Sequence, residues 1–367
     1  MCLPLALLLF SCLEPTRPNF QIEEGFYLVE GRILAGGQSE VRVRASDFRE
    51  IALELSAVAE AEVTAVDGNG ARVRWSVADP TRGSYRPPAG FIPTAGQRWH
   101  FEIALPDGTM IVSEPETVPE PVSALNLDVR FEQESTFDEG RNRFIPRFEL
   151  YLDYDDPANQ ENYYAYDYTF WEQTAICITC VNGRYDAASG ECITRDGNST
   201  FFRGFDYACD PPDCYTINPG AETKYGTDNF TNGGRVTGVP LGGITFEAYG
   251  GLLVEGQLIS ISKAAYEYGK VIQDLTEGNS GLNATIPAAL NGNVSNLDPA
   301  GREVLGFIGA ASFSGTRRYL ERSADTGTPL RLPPPPRYEP IPPPGVPPRV
   351  PCDIPGRRTS VKPEGWP

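Results

Sequence analysis

Apolar residues recur at every second position over most of the first third of the chain. "FYLVEGRI", "SEVRVRA", "AEVTAVDGNGARVRWSV" and "RWHFEIALPDGTMIVSE" all alternate in this way between Phe26 and Glu114. Successive side chains of a strand point to opposite faces, so this period predicts half-buried strands. Asp67-Gly68 and Asp107-Gly108 interrupt the two longest runs and predict hairpin turns. Several short strands within 26–120 predict an immunoglobulin-like β-sandwich. "VPEPV" (Val118 to Val122) reads as a linker closing that unit, because each proline removes a donor and biases its predecessor to extended geometry.

A larger β-rich domain is expected over 121–328. In "PRFELYLDYDDPANQENYYAYDYTFWE", Phe148, Leu150, Leu152 and Tyr154 alternate, and then Tyr164, Tyr166, Tyr168 and Phe170 do the same. The pattern predicts a hairpin across the polar stretch "DDPANQEN", with the tyrosine stripe on a core face. The acidic loop raises a calcium question, but Ala158 stands where an EF-hand loop starting at Asp153 needs glycine, and turn chemistry is the better reading. One helix is expected over 262–277. Ser262 can cap it, Ala264, Tyr268, Val271, Ile272 and Leu275 fall on one face, and Gly278 can end it. The fold class is therefore mainly β: an N-terminal immunoglobulin-like β-sandwich followed by a larger β-rich domain with one docked helix.

The two ends break the pattern. Met1 to Phe10 is almost wholly apolar, shorter than the roughly 20 residues that a membrane-spanning helix needs, and has the length of a signal-peptide core. Leu9, Ser11 and Cys12 resemble a bacterial lipobox, in which the cysteine is acylated and the peptide is cut before it. This gives a lipoprotein signal peptide over 1–11, lipid attachment at Cys12 and a lipidated tether over 12–25. No Lys or Arg precedes Cys12, so the basic start of such a leader is expected upstream of Met1. At the other end, 329–367 is a proline-rich tail. It reads as a semi-rigid polyproline II spacer that carries Cys352 back to the body.

Eight cysteines sharpen this picture. Cys2 leaves with the leader and Cys12 carries lipid. Cys177, Cys180, Cys192, Cys209, Cys214 and Cys352 remain, an even set that suggests disulfides in an exported protein. Five of them form a cysteine-rich insertion over 177–214, and the spacing does not choose among the pairings. The competing zinc ribbon would join Cys177 and Cys180 to Cys209 and Cys214, whose separation suits it poorly. Asn198, Asn229, Asn283 and Asn293 begin sequons that carry little weight in a bacterial lipoprotein.

Charge and histidine content remove several functions. A formal net charge of −18 repels phosphate backbones, so nucleic acid is a poor partner. The only histidine is His100, within a strand pattern, so multi-imidazole metal sites are excluded. No Gly-x-Ser-x-Gly elbow accompanies it. No catalytic residue, metal site or cofactor is assigned. A two-carboxylate glycosidase would need no histidine, but the sequence singles out no pair.

Taken in order, several stretches resemble the Bacteroidota outer-membrane lipoproteins of domain-of-unknown-function family 4249. They are "LVEGRI" (28–33), "AEVTAVDGNG" (61–70), "LPDGTMIVSE", "DDPANQENYY" (155–164), "ISKAAYEYGKVI" (261–272), "PAALNGNVSNL" with "VLGFIGAASF" (287–313) and "CDIPGRRTSVKPEGW" (352–366). The family often closes with Cys, Gly and Lys-Pro-x-x-Trp, matched by Cys352, Gly356, Lys362, Pro363 and Trp366. The 177–214 insertion and the proline-rich stretch are larger than usual for it. The resemblance implies an outer-membrane, surface-facing lipoprotein encoded beside a TonB-dependent receptor, its expected partner in nutrient uptake. It supplies no catalytic residues and no ligand. The alternative is a structural or adhesive surface lipoprotein. Ligand binding is expected on loops of the second domain.

Overall fold

The computed structural model describes residues 25–49, 52–194, 204–278, 292–331, 334–339 and 349–367. Cys12, the leader, most of the tether and the sequons at Asn198 and Asn283 lie outside them. Among the described residues the fold is mainly β with one helix, and no sheet closes into a barrel.

A long twisted sheet runs through the molecule. Its neighbours, in order, are Glu40–Arg49, Tyr27–Ala35, Ile308–Arg322, Gly250–Ile261 and Tyr163–Gln173. Tyr215–Pro219 and Lys224–Thr227 both pair with Tyr163–Gln173. All these pairings are antiparallel except Tyr27–Ala35 with Ile308–Arg322, which is parallel and joins the two ends of the described body. Glu62–Asp67 pairs with both Arg72–Asp79 and Arg98–Ala104, and Arg98–Ala104 pairs with Met110–Ser113.

The alternation of the first third is realised. Val29, Ile33, Val41, Val43, Val63, Ala65, Phe101, Ile103 and Ile111 are buried in one core, and Trp75 meets Phe101 edge-on at 5.0 Å. Val294, Ile308 and Ala310 complete that core. Strand Val294–Asn296 extends the sheet at Met110–Ser113. Val118 and Val122 are buried, and the Pro119 carbonyl accepts from Ser312 Oγ at 2.5 Å, so "VPEPV" is packed against the body. Both predicted turns form. At Asp107-Gly108 the glycine takes φ +90° and its N–H donates to the Leu105 carbonyl. At Asp67-Gly68 it is Gly70 that takes the left-handed conformation (φ +85°), while Asp67 Oδ1 accepts from the N–H groups of Asn69 and Ala71.

The expected hairpin between the Phe148 and Tyr164 runs does not form. Arg143–Asp155 pairs with Ala124–Asp138 and Arg235–Thr245 in a separate three-stranded sheet, whereas Tyr163–Gln173 belongs to the long sheet. The polar stretch is an arch that carries the chain from one sheet to the sheet facing it. Alternation shows which face of a strand is buried but not which strand lies beside it, so a hairpin and an arch have the same sequence pattern. The apolar faces are as predicted: Phe148, Leu150, Leu152 and Tyr154 meet Tyr164, Tyr166, Tyr168 and Leu258 in a second core. Tyr154 and Tyr166 share a hydrogen bond of 2.8 Å across it.

The arch is held by carboxylates turned inward. Buried Asp156 accepts from the Tyr164 hydroxyl, the Asn162 amide and the Gly233 N–H. Buried Asp228 accepts from the N–H and the side-chain amide of Asn162. Protein donors thus reach both oxygens of Asp156 and one of Asp228.

Helix Lys263–Gly278 begins as expected, with Ser262 Oγ accepting from the Ala265 N–H at 3.1 Å. Its docked face is largely the expected one: Tyr268, Val271, Ile272 and Leu275 are half-buried, as is Ala265, and Gly269 is buried, whereas Ala264 is exposed. Gly269 sets that phase. A Cβ there would lie 2.2 Å from the Tyr225 ring, so the helix rests on Tyr225 where it lacks a side chain.

Leu152 is wholly buried and touches the line of the Gly256 backbone. Leu152→Ala should cost roughly 2–5 kcal/mol in urea unfolding with an unchanged m-value, the usual range for a core leucine that leaves a cavity. A loss below about 1 kcal/mol would mean that the two sheets do not close on this side chain.

Candidate functional site

Because the tyrosine stripe faces the second core, the intervening residues of the same strand face the other way. Ala165, Asp167, Thr169 and Trp171 therefore share the outer face of the long sheet. Register extends each of them into a row. Asp167 lies beside Gln257, which lies beside Gly315; Thr169 lies beside Glu255, which lies beside Arg317; Trp171 lies beside Leu253, which lies beside Tyr319.

These rows are wired together. Gln257 Nε2 donates to Thr169 Oγ1 at 3.0 Å and to Glu255 Oε2 at 3.2 Å. Arg317 Nε donates to Glu255 Oε1 at 2.7 Å, and its guanidinium lies 5.3 Å over the Trp171 ring. The Glu255 side chain is only 12% accessible, so this pair is shielded more than an ordinary surface ion pair. Asp167 accepts from the Tyr168 N–H at 2.7 Å and from Thr223 Oγ1 at 3.1 Å. Burial is the main cause that lifts its carboxyl above its ordinary pKa.

Arg32 closes one side. Its side chain is accessible to solvent, yet desolvation is the main cause that pulls its pKa below the ordinary value, and Asp167 and Tyr225 are the first charges to oppose that. The helix on Tyr225 bounds one end of this trough. The chain's last residues bound the other: Trp366 packs edge-on against Tyr215 (4.9 Å) and Tyr319 (5.2 Å), and Arg317 Nη1 donates to the Glu364 carbonyl at 2.9 Å. At Gly315 the Phe313 ring covers the floor, since a Cβ there would come within 2.9 Å of it. The trough thus combines aromatic faces with donors and acceptors and nearly balanced charge. That composition suits recognition by hydrogen bonding and stacking.

The six expected cysteines are all brought together, as Cys177–Cys209, Cys180–Cys192 and Cys214–Cys352. Every one of these sulfurs is in a disulfide, so the zinc-ribbon alternative falls. Two described stretches of the proline-rich tail, 334–339 and 349–352, lie along this insertion as a strap. Tyr207 donates to Glu339 at 2.9 Å, Arg184 pairs with Glu339 at 3.1 Å, and Cys209 and Asp210 pair in parallel with Val350 and Pro351. Cys352 is thereby carried back to the body, as expected. His100 lies on strand Arg98–Ala104 of the first sandwich, 3.7 Å from Glu102, away from the trough's rows. Asn293 is buried and bonds both the N–H and the carbonyl of Ile308, so its side chain serves the fold. Cys12 lies outside the described residues.

Residues 14–317 match the family described as "Domain of unknown function (DUF4249)". The chain belongs to this family. No curated protein matches it. The family span covers both cores and most of the trough, including Arg32, Asp167, Gln257, Glu255 and Arg317. It ends before Cys352 and Trp366.

Sequence reasoning placed recognition on loops and missed this face. The available signal was the set of residues between the stripe tyrosines: Asp167, Thr169 and Trp171 are polar or aromatic side chains in a strand whose other face is already core.

A carboxyl with a raised folded pKa favours folding most at low pH, and that contribution is lost as pH rises from its unfolded value through its folded value. Asp167→Asn removes this dependence. In thermal unfolding, the variant should gain stability relative to the wild type as pH rises from about 3.5 to 7. Parallel profiles would show that Asp167 is not buried as described.

Proposed function

We propose that this member of the family is a non-catalytic, lipid-anchored outer-membrane protein of a Bacteroidota bacterium. In this reading it is an accessory partner of a TonB-dependent receptor in nutrient uptake and presents the trough to the ligand. The observation that carries the proposal is the state of the cysteines. All six that follow the tether are closed in disulfides, which persist in exported proteins and are rare in the cytosol. Only Cys12, at the end of the apolar leader, is left for acylation. Two or more acyl chains hold a protein durably at a membrane, which would confine it to the plane of its receptor and raise their effective concentration. Family membership agrees with this reading for the internal stretches between 28 and 313 that resemble the lipoproteins, while the lipobox at Cys12 and the ending from Cys352 lie outside the matched span.

Two measurements test it. Cys12→Ala expressed from the native locus should move the protein from the detergent phase of a Triton X-114 extraction to the aqueous phase, and an unchanged partition would remove the lipid anchor from the reading. A gentle-detergent pull-down of the tagged wild type should recover a TonB-dependent barrel in stoichiometric amount. Recovery of the lipoprotein alone, under conditions that keep other lid and barrel pairs together, would favour the structural or adhesive reading.

A further inference from the structure

We infer that the two disulfides Cys177–Cys209 and Cys214–Cys352 form a thiol–disulfide exchange site, entered at Cys177, through which a dithiol releases the C-terminal strap. Two bonds that share no residue are in contact here: Cys177 Sγ and Cys214 Sγ are 3.7 Å apart, and the sulfurs of Cys177, Cys209 and Cys214 all lie within 4.8 Å of one another. Exchange proceeds by attack of a thiolate on a disulfide sulfur, so sulfurs at contact distance can pass a bond between them.

Burial gives the site a direction. Cys209, Cys214 and Cys352 are at most 1% accessible, whereas Cys177 is half-buried and is the only one of the four that an outside thiolate can reach. The thiolate attacks Cys177 Sγ, forms a mixed disulfide and expels Cys209 as a thiolate. Cys209 attacks Cys214 Sγ, closes a Cys209–Cys214 bond and expels Cys352 as a thiolate. The second thiol of the dithiol then resolves the mixed disulfide and frees Cys177. The dithiol ends as a disulfide, having lost two electrons and two protons, and the chain ends with thiols at Cys177 and Cys352. Apart from the disulfide, the segment after Cys352 is held by the two-residue pairing of Tyr215 and Thr216 with Thr359 and Arg358, by the Ile217 N–H on the Arg357 carbonyl, by Arg358 on the Cys177 carbonyl, by Trp366 against Tyr215 and Tyr319, and by Arg317 on the carbonyl and carboxylate of Glu364. Losing the disulfide therefore loosens the end wall of the trough.

The experiment treats the folded, full-length mature protein with limiting dithiothreitol, quenches it with acid and then N-ethylmaleimide, and maps the first reduced species by mass spectrometry. The expected species carries maleimide on Cys177 and Cys352 together with a Cys209–Cys214 bond. Maleimide on Cys177 and Cys209 with Cys214–Cys352 intact would overturn the inference, as would maleimide on Cys214 and Cys352 with Cys177–Cys209 intact. A second arm uses the Cys177→Ser/Cys209→Ser double variant, in which release of Cys352 should be at least about tenfold slower because the entry sulfur is gone. An unchanged rate would also overturn it. The mapping on the wild type decides the question even if the variant does not fold.

Discussion

Strand Ile308–Arg322 is the constraint on which the rest of the molecule depends. Its alternate residues serve two sides along its whole length. On one side Ile308 and Ala310 complete the first core, Ser312 and Ser314 bond the 119–124 connection, and Leu320 packs at the second core. On the other side Ala311, Phe313, Gly315, Arg317 and Tyr319 lie beneath the helix and form the trough. The strand enters beside Tyr27–Ala35 through a glycine that nothing else could replace. Gly306 takes φ +120°, and a Cβ there would lie 1.9 Å from the Val29 carbonyl oxygen. Buried Asn293 then bonds both backbone groups of Ile308, in the manner of a neighbouring strand. Parallel neighbours need a long crossover, and here almost the whole body lies between the two partners.

This arrangement explains why the trough lies on a sheet rather than on loops. The tyrosines of Tyr163–Gln173 bury their rings against the facing sheet, so the opposite side of the same strands is relieved of core duty and can carry polar groups. Those groups are fixed by their neighbours in register, not by loop conformation. A row such as Thr169, Glu255 and Arg317 is as rigid as the ladder that spaces it. The aromatic faces of Trp171, Tyr319 and Trp366 stand in the adjoining row. The strongly acidic character of the whole chain does not extend into the trough, where Glu255 and Asp167 are balanced by Arg317 and Arg32.

The cysteine-rich insertion and the strap belong to the same design. The insertion builds its own small core from Cys180, Tyr185, Tyr207 and Val350, the last supplied by the strap. A proline-rich segment cannot bury an apolar face by itself, so ion pairs, short pairings and a disulfide hold it. The bond that fixes it also positions the last residues, including Trp366, at the end of the trough.

Much of this fold was legible in the residues. Period-two alternation identified the strands, the buried face of each and the tyrosine stripe as core, because which side of a strand meets water is a local property of its sequence. Ser262 marked the start of the helix and the two Asp-Gly pairs marked their turns for equally local reasons. The even count of cysteines after the tether pointed to closed disulfides. Only the tertiary structure decided which strands are neighbours, turning an expected hairpin into an arch and joining Tyr27–Ala35 to a strand nearly three hundred residues later. It also decided which sulfurs pair, that the helix rests on Tyr225 at Gly269, and that Arg32, Asp167, Gln257 and Arg317 share one face. Each of these is a relation between segments far apart in the chain, fixed by packing volume and register, and no local pattern carries that information.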